Sequence, residues 1–308
     1  MIGHEDGQPR DPALPDPTAP LTATGNLRRR AAVNRMVEIS ASGSALLAVS
    51  VLALVLYGVI SRGASALSFT FLTSNPAGLA GGGIANALIG TALIVALAAV
   101  IAVPVGILCG IYLTEFAGAR SRSGRALKLV LDLMQGLPTV VVGLFVFGLL
   151  VAGGKESGFA GAVALSIVML PLIARSSQEV LALVPGTLRE AADALGVDRW
   201  RGVVGVVLPT ALGGIATGAI LAIARAAGET APLLFVDGIY NANTTELNLF
   251  GHGVPNIPVL ILTTSDLAIP QGFARAWGAA FVLLALIMIA NIGARLILAR
   301  SRRVRMTR

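Results

Sequence analysis

Arg225 is the residue with the most chemistry to explain. It stands in Arg225-Ala226-Ala227-Gly228-Glu229-Thr230-Ala231-Pro232, within a long apolar stretch. An arginine at the centre of a bilayer costs about 2.5–3.5 kcal/mol on insertion scales, so such a side chain faces protein or a watery path. Its guanidinium offers five donors in a fixed fork, a shape suited to a tetrahedral oxyanion. Thr230 adds a hydroxyl nearby. On this reading Arg225, Glu229 and Thr230 form a positive station on a substrate path. The competing reading is a buried ion pair that orients helices. Glu229 lies one helical turn on and can reach Arg225. Arg before Glu is the weaker order for a helical pair, so Asp132, in another apolar stretch, is a second candidate partner.

A second segment carries the chemistry of recognition. It reads Pro185-Gly186-Thr187-Leu188-Arg189-Glu190-Ala191-Ala192-Asp193-Ala194-Leu195-Gly196. Thr187 followed three residues later by Glu190 is a capping box, which predicts the start of a short helix. Gly196 supplies a left-handed stop. Asp198 is then expected to cap a second helix carrying Trp200, Val203, Val204 and Val207, with Pro209 ending that stretch. Leu188, Ala192 and Leu195 share one face of the first helix, and Ala191 and Ala192 leave it thin enough to enter a groove. An ordinary interfacial hairpin would show the same local signals.

The elements that position these residues must be membrane spans. Of 308 residues, 55% are hydrophobic and 13% charged, and the mean hydropathy is +0.82. That excludes disorder over most of the length and an ordinary soluble enzyme. The net charge of +7 does not mark nucleic-acid binding, because aromatics are 5% and the arginines lie between apolar runs. The single cysteine, Cys109, permits neither an intrachain disulfide nor a thiolate metal site. No metal or cofactor is expected.

Six stretches reach spanning length: Ala41–Ile60, Ile84–Leu113 with Pro104 as a possible bend, Leu129–Ala152, Gly158–Ile173 with room to extend toward Val180, Ala211–Val236 and Ala276–Leu298. The chain thus divides into a disordered, Pro-rich, basic tail (1–38), a first span with its outer loop (39–83), a core (84–298) and a basic tail (299–308). The N-terminal tail, the 114–128 loop, the 174–210 loop and the C-terminal end from Arg295 onward carry 5, 4, 4 and 6 of the 23 basic residues. The other side carries Arg62, Lys155 and Arg275. By the positive-inside rule both termini are expected in the cytoplasm, and the loop 237–274 outside.

Glu190-Ala191-Ala192, three residues, Gly196, nine residues, then Val206-Val207-Leu208-Pro209 resembles the EAA loop of binding-protein-dependent ABC permeases. Val206 stands where isoleucine is usual. The resemblance implies coupling helices at about 187–208 that dock on a separate ATPase, with Glu190, Ala191, Ala192 and Gly196 as docking residues. The chain itself has no Gly-x4-Gly-Lys-Ser/Thr loop; neither of its lysines, Lys128 and Lys155, fits one. Arg225 to Phe235, with Gly82–Thr91 and Gln135–Phe145, resembles the PstA-type permeases, although family members often have Pro-Ser where Pro138-Thr139 stands. This likeness covers about 84–296.

Membership would imply an all-α integral membrane protein with six transmembrane helices and the type I ABC importer permease fold. It would be a non-enzymatic pore subunit in a bacterial cell membrane. Its expected partners are a PstC-type companion permease, a PstB-type ATPase dimer, a PstS-type phosphate-binding protein docking on 237–274, the lipid bilayer and inorganic phosphate, with no nucleic acid. His252, in that loop, is given no role.

Other classes fit less well. An intramembrane serine protease needs a serine–histidine pair, and the only histidines are His4 and His252. A secondary transporter would need inverted repeats, and none is visible. A permease for molybdate or sulfate shares the EAA loop and is the nearest alternative.

Overall fold

The computed structural model describes residues 25–77, 81–118, 121–238, 245, 247–267 and 269–306, with backbone alone at 25–26 and 297–306. The first unit, up to Tyr57, is helical wherever it is described. It belongs to α1 (Gly25–Gly63), whose apolar side chains are exposed on all sides, as on a span that faces lipid. The basic tail was expected to be unstructured to residue 38. Its first 24 residues lie outside the described ones, and 25–38 are helix. Prolines end at Pro20, and the following Arg and Ala residues are good helix formers.

The second unit runs from Gly58 onward. After α2 (Phe69–Thr73) a small antiparallel ladder pairs β1 (Pro76–Ala77) with β2 (Gly81–Gly82), Pro76 opposite Gly82. Then come α3 (Ala85–Ile111), α4 (Arg122–Gly136), α5 (Thr139–Val146), α6 (Gly158–Ala182), α7 (Gly186–Ala194), α8 (Arg199–Gly202), α9 (Leu208–Ala226), α10 (Ala231–Val236), α11 (Ile257–Asp266) and α12 (Pro270–Met306). π-helical turns extend α3 over Tyr112–Phe116 and α5 over Phe147–Val151, and join α8 to α9 over Val203–Val207. Among the described residues five helices are long and apolar enough to span a bilayer, or six when the bent pair α4–α5 is one span.

Four expectations need correction. The stretch Leu129–Ala152 is not one straight span: α4 and α5 meet at 103°. Pro138 lacks an N–H and pushes Leu137 out of the helical region, to φ −69° and ψ 132°. The Gly158–Ile173 span continues to Ala182, which moves Arg175 from a loop into a helix. Pro209 does not end a stretch; it lies inside the helical run Arg199–Ala226, just after the π-helical turn Val203–Val207. The 237–274 segment is not all loop, because α11 lies inside it.

The core is built from small residues that let helices approach closely. Ile94, Ala98 and Ala102 of α3 pack on Ala162, Leu165, Met169 and Ile173 of α6, with Ala222 and Ala226 of α9 alongside. Gly106 and Gly110, one turn apart on α3, lie against Ile173 and Ser177. An added Cβ there would come within 2.8 and 2.7 Å of their side chains. Such small-residue pairs are how membrane helices gain packing without a hydrophobic driving force.

Candidate functional site

The segment 186–202 forms the two short helices expected there, with different local chemistry. α7 begins at Gly186 with Pro185 as N-cap and no side-chain cap, so Thr187 and Glu190 do not form the capping box. Its stop is as expected. Gly196 has φ 69°, its N–H bonds to Asp193 O, and Val197 N–H reaches back to Ala192 O, the two bonds of a Schellman motif. Asp198 is the N-cap of α8 but makes no side-chain cap, and pairs instead with exposed Arg201 at 3.6 Å. Glu190, Ala191 and Gly196 are exposed. Ala192 is buried, with its methyl toward Gly202, so it packs within the chain. Leu195, at 81% exposure, leaves the face it was expected to share with Ala192.

What holds α7 in place is a pair that sequence reasoning missed. Arg189 Nε donates to both carboxylate oxygens of Glu115 at 3.2 and 3.1 Å, and Nη2 donates to Oε1 at 2.7 Å. The same guanidinium donates to Leu181 O at 2.9 Å and Val184 O at 2.7 Å, carbonyls at the end of α6. Glu115, in the π-turn after α3, is buried. Its hydrogen bonds raise the Arg189 pKa above the ordinary value, with burial opposing. A cavity of about 270 Å³ lies beside the pair, lined by Leu188, Ala192, Arg199 and Val203 among others. The only signal in the sequence was an acid closing an apolar run and a base opening a loop 74 residues later.

Arg225 was expected near the middle of a span Ala211–Val236; instead it sits in the last turn of α9, at the end of the span Arg199–Ala226, and is 66% exposed. Its Nε lies 3.9 Å from Glu229 Oε1, too far for a hydrogen bond. The two groups stand at ion-pairing distance, with Arg225 exposed and Glu229 largely covered. Asp132, the other proposed partner, is held by Arg175 of α6, which also donates to Gln178 at 3.2 Å. The helix breaks after Ala226. Thr230 is the N-cap of α10, without a side-chain cap, and Pro232 in the first turn of α10 packs on Gly143 of α5. Two broken helices thus meet here. A small cavity of about 60 Å³ is lined by Gln135, Leu137 and Thr139 at the α4–α5 break, Pro171 of α6, and Arg225. The structure brings Arg225 and Glu229 together and adds Gln135 and Thr139, which were not expected to contribute.

At the opposite end from α7, buried Asp237 accepts hydrogen bonds from Val254 N–H at 2.8 Å and Asn256 Nδ2 at 2.9 Å. Asn256 in turn caps α11 through Val259 N–H. Burial pushes the Asp237 carboxyl up to about 7; nearby Glu156 adds to this, while its two hydrogen bonds and His252 oppose it. The segment 253–266 is thereby fixed, while 239–244, 246 and 268 lie outside the described residues.

Comparison with known proteins agrees with this architecture. Residues 102–303 match the family described as binding-protein-dependent transport system inner membrane component. The chain is 35% identical over 272 residues to the phosphate transport system permease protein PstA of Yersinia pestis, covering 87% of this chain and 91% of that protein. It is 37% identical over 294 residues to PstA 1 of Mycobacterium tuberculosis (strain ATCC 25618 / H37Rv), covering 92% and 94%. A chain of the MetNI methionine ABC transporter, solved in an inward-facing form, superposes with a TM-score of 0.55 at 19% identity over 70% of this chain and 93% of that one, a likeness of fold alone. With the EAA spacing on an exposed α7 and relatives of this closeness along nearly the whole length, the chain belongs to the binding-protein-dependent ABC permease family, in its PstA-type branch.

Proposed function

We propose that this chain is a path-forming subunit of an ATP-driven importer of inorganic phosphate. The observation that carries this is Arg225: a guanidinium without a hydrogen-bonded partner among the described residues, at the meeting of two broken helices, in a protein whose relatives are phosphate permeases. Broken helices in a membrane are tolerated where they line a cavity or are buried in protein. Thr139 opens α5, so the positive end of that helix lies at the same cavity. Glu229 refines the choice of anion. A hydrogen phosphate bears an O–H that a carboxylate can accept, whereas a sulfate dianion bears none and is repelled.

The partners follow from the exposed faces. α7, with Glu190, Ala191 and Gly196 outward, is the docking element for an ATPase dimer of PstB type. The exposed face around Arg225 is to be completed by a PstC-type companion. The end that holds Asp237 and α11 receives a PstS-type binding protein. In this reading both termini and α7 are cytoplasmic, and residues 84–298 are the permease core. Topology is tested on a Cys109→Ser background. Leu247→Cys, exposed at the Asp237 end, should react with an impermeant reagent from outside, and Leu195→Cys should not. The reverse pattern overturns the orientation.

Substrate is tested with the assembled complex in liposomes carrying ATP. Labelled phosphate should enter, and excess sulfate or molybdate should not compete. Preferential uptake of either of those ions sinks the phosphate assignment.

A further inference from the structure

We propose that Arg189 is a positioning residue for energy coupling: one guanidinium fastens α7 to both α3 and α6, so that a displacement of α7 moves the two helices together. The inference rests on the reading of α7 as the ATPase-docking element. All three guanidinium nitrogens are engaged, on Glu115 after α3, Leu181 of α6 and Val184 of the link that follows α6. The Leu181 carbonyl belongs to the last turn of α6 and the Val184 carbonyl to the link that follows it, and a cation at a helix C-terminus is also favoured by the helix dipole. Glu115 is the end of α3. Between α6 and α7 the backbone offers only Leu183-Val184-Pro185, a short link about which an unfastened α7 would pivot. With Arg189 in place the joint has no such freedom, because a planar fork bonded at both edges fixes orientation as well as distance.

The path beyond the joint is stiff. α3 and α6 are locked to each other where Gly106 and Gly110 receive Ile173 and Ser177. α6 carries Arg175, which grips Asp132 of α4. α4 ends at the Gln135–Leu137 break that lines the cavity with Arg225. A push on α7 therefore reaches the substrate path through packed helices and the Arg175–Asp132 pair. If Arg189 only stabilised the fold, its loss would lower the amount of complex and leave the work per ATP untouched.

The test uses the complete complex with its ATPase and binding protein in liposomes, with ATP hydrolysis and phosphate uptake measured on the same preparation. Arg189→Lys keeps the charge and loses the fork. Arg189→Gln with Glu115→Gln removes both charges, so no buried ion is orphaned. Both complexes should retain bound ATPase and hydrolyse ATP, while phosphate moved per ATP falls about tenfold in the double variant and less in Arg189→Lys. An unchanged ratio in Arg189→Lys and in whatever double variant assembles overturns the proposal, even if the yield of complex drops. Should the double variant fail to assemble, the ratio in Arg189→Lys decides alone. A wild-type complex that moved a different oxyanion would defeat the phosphate reading but not this one, because the ratio would then be taken with that ion.

Discussion

Arg189 and Arg225 are two arginines in one membrane protein with opposite surroundings. Arg189 spends its donors on a buried carboxylate and two helix-end carbonyls. Arg225 has a carboxylate at 3.9 Å and two-thirds of its side chain exposed. A cation so fully bonded can bind nothing else without breaking what it holds, so it serves as a joint. A cation left open within a span has its desolvation cost unmet by the chain alone, and is available to a passing anion or a partner subunit. On the proposed reading, the contrast separates a mechanical end of the molecule from a chemical site at the α4–α5 and α9–α10 breaks.

Removing the open cation should have the largest effect. Arg225→Gln leaves Glu229 without its neighbouring cation, which confuses loss of function with loss of stability. Arg225→Gln with Glu229→Gln removes that ambiguity. Both variants should assemble with their partners, and phosphate uptake per assembled complex should fall about a hundredfold or more, as when a donor aimed at a charged centre is deleted. Substantial uptake by the double variant would erase the distinction between the two arginines and leave Arg225 structural.

The next effect belongs to the mechanical end. Gly196 sits at φ 69° with open space around it, so Gly196→Val is opposed by backbone conformation and not by crowding. A left-handed β-branched residue costs about 1–2 kcal/mol, enough to unwind the Schellman stop and let the end of α7 fray. ATPase association, read by co-purification, should weaken about tenfold while the chain still inserts. Unchanged association would mean that the ATPase does not read the end of α7.

Much of this was legible in the sequence, for identifiable reasons. The spans announced themselves because a bilayer demands about 20 apolar residues, and the Gly196 stop is local chemistry between neighbours. The α4–α5 break was hidden because hydropathy is continuous across Leu129–Ala152, although Leu137-Pro138 held the backbone signal. Arg175 was assigned to a loop because hydropathy falls before the helix ends; hydrogen bonding carries α6 on to Ala182. The Arg189–Glu115 and Arg175–Asp132 pairs were beyond reach, since each depends on the register of helices far apart in sequence. Local chemistry also misled: the Thr187–Glu190 spacing fits a capping box with Thr187 as N-cap, but the N-cap is Pro185, two residues earlier.

Glu229 sharpens the middle of the comparison. Glu229→Gln alone keeps the open cation and a hydrogen-bonding side chain but removes the negative charge that disfavours a proton-free dianion. Phosphate uptake should persist at reduced rate, and sulfate should begin to compete severalfold more strongly. No change in competition would mean that selectivity lies elsewhere, with Arg225 as a general anion station.

The smallest effect on transport is expected at the far end, where Asp237 mirrors Arg189: a buried charged group fully hydrogen-bonded, but by neutral donors. Its carboxyl ionises near 7 in the folded chain, against an ordinary value of 3.8. Between those values the folded state holds a proton that the unfolded state has released, so stability falls as pH rises. The contribution is fully present below 3.8, is lost progressively up to about 7, and is flat above that. Across that window each pH unit removes about 1.4 kcal/mol at most. Glu156 and His252 face the same site. Hydrogen exchange at the Val254 amide, corrected for its intrinsic rate, should show greater protection at pH 5 than at pH 8. Asp237→Asn should flatten that dependence while lowering protection throughout, because its amide nitrogen cannot accept from Asn256 as the carboxyl does. Protection that rises with pH would show an ionised Asp237 paired to a cation, and the two ends of the molecule would then be joints of the same kind.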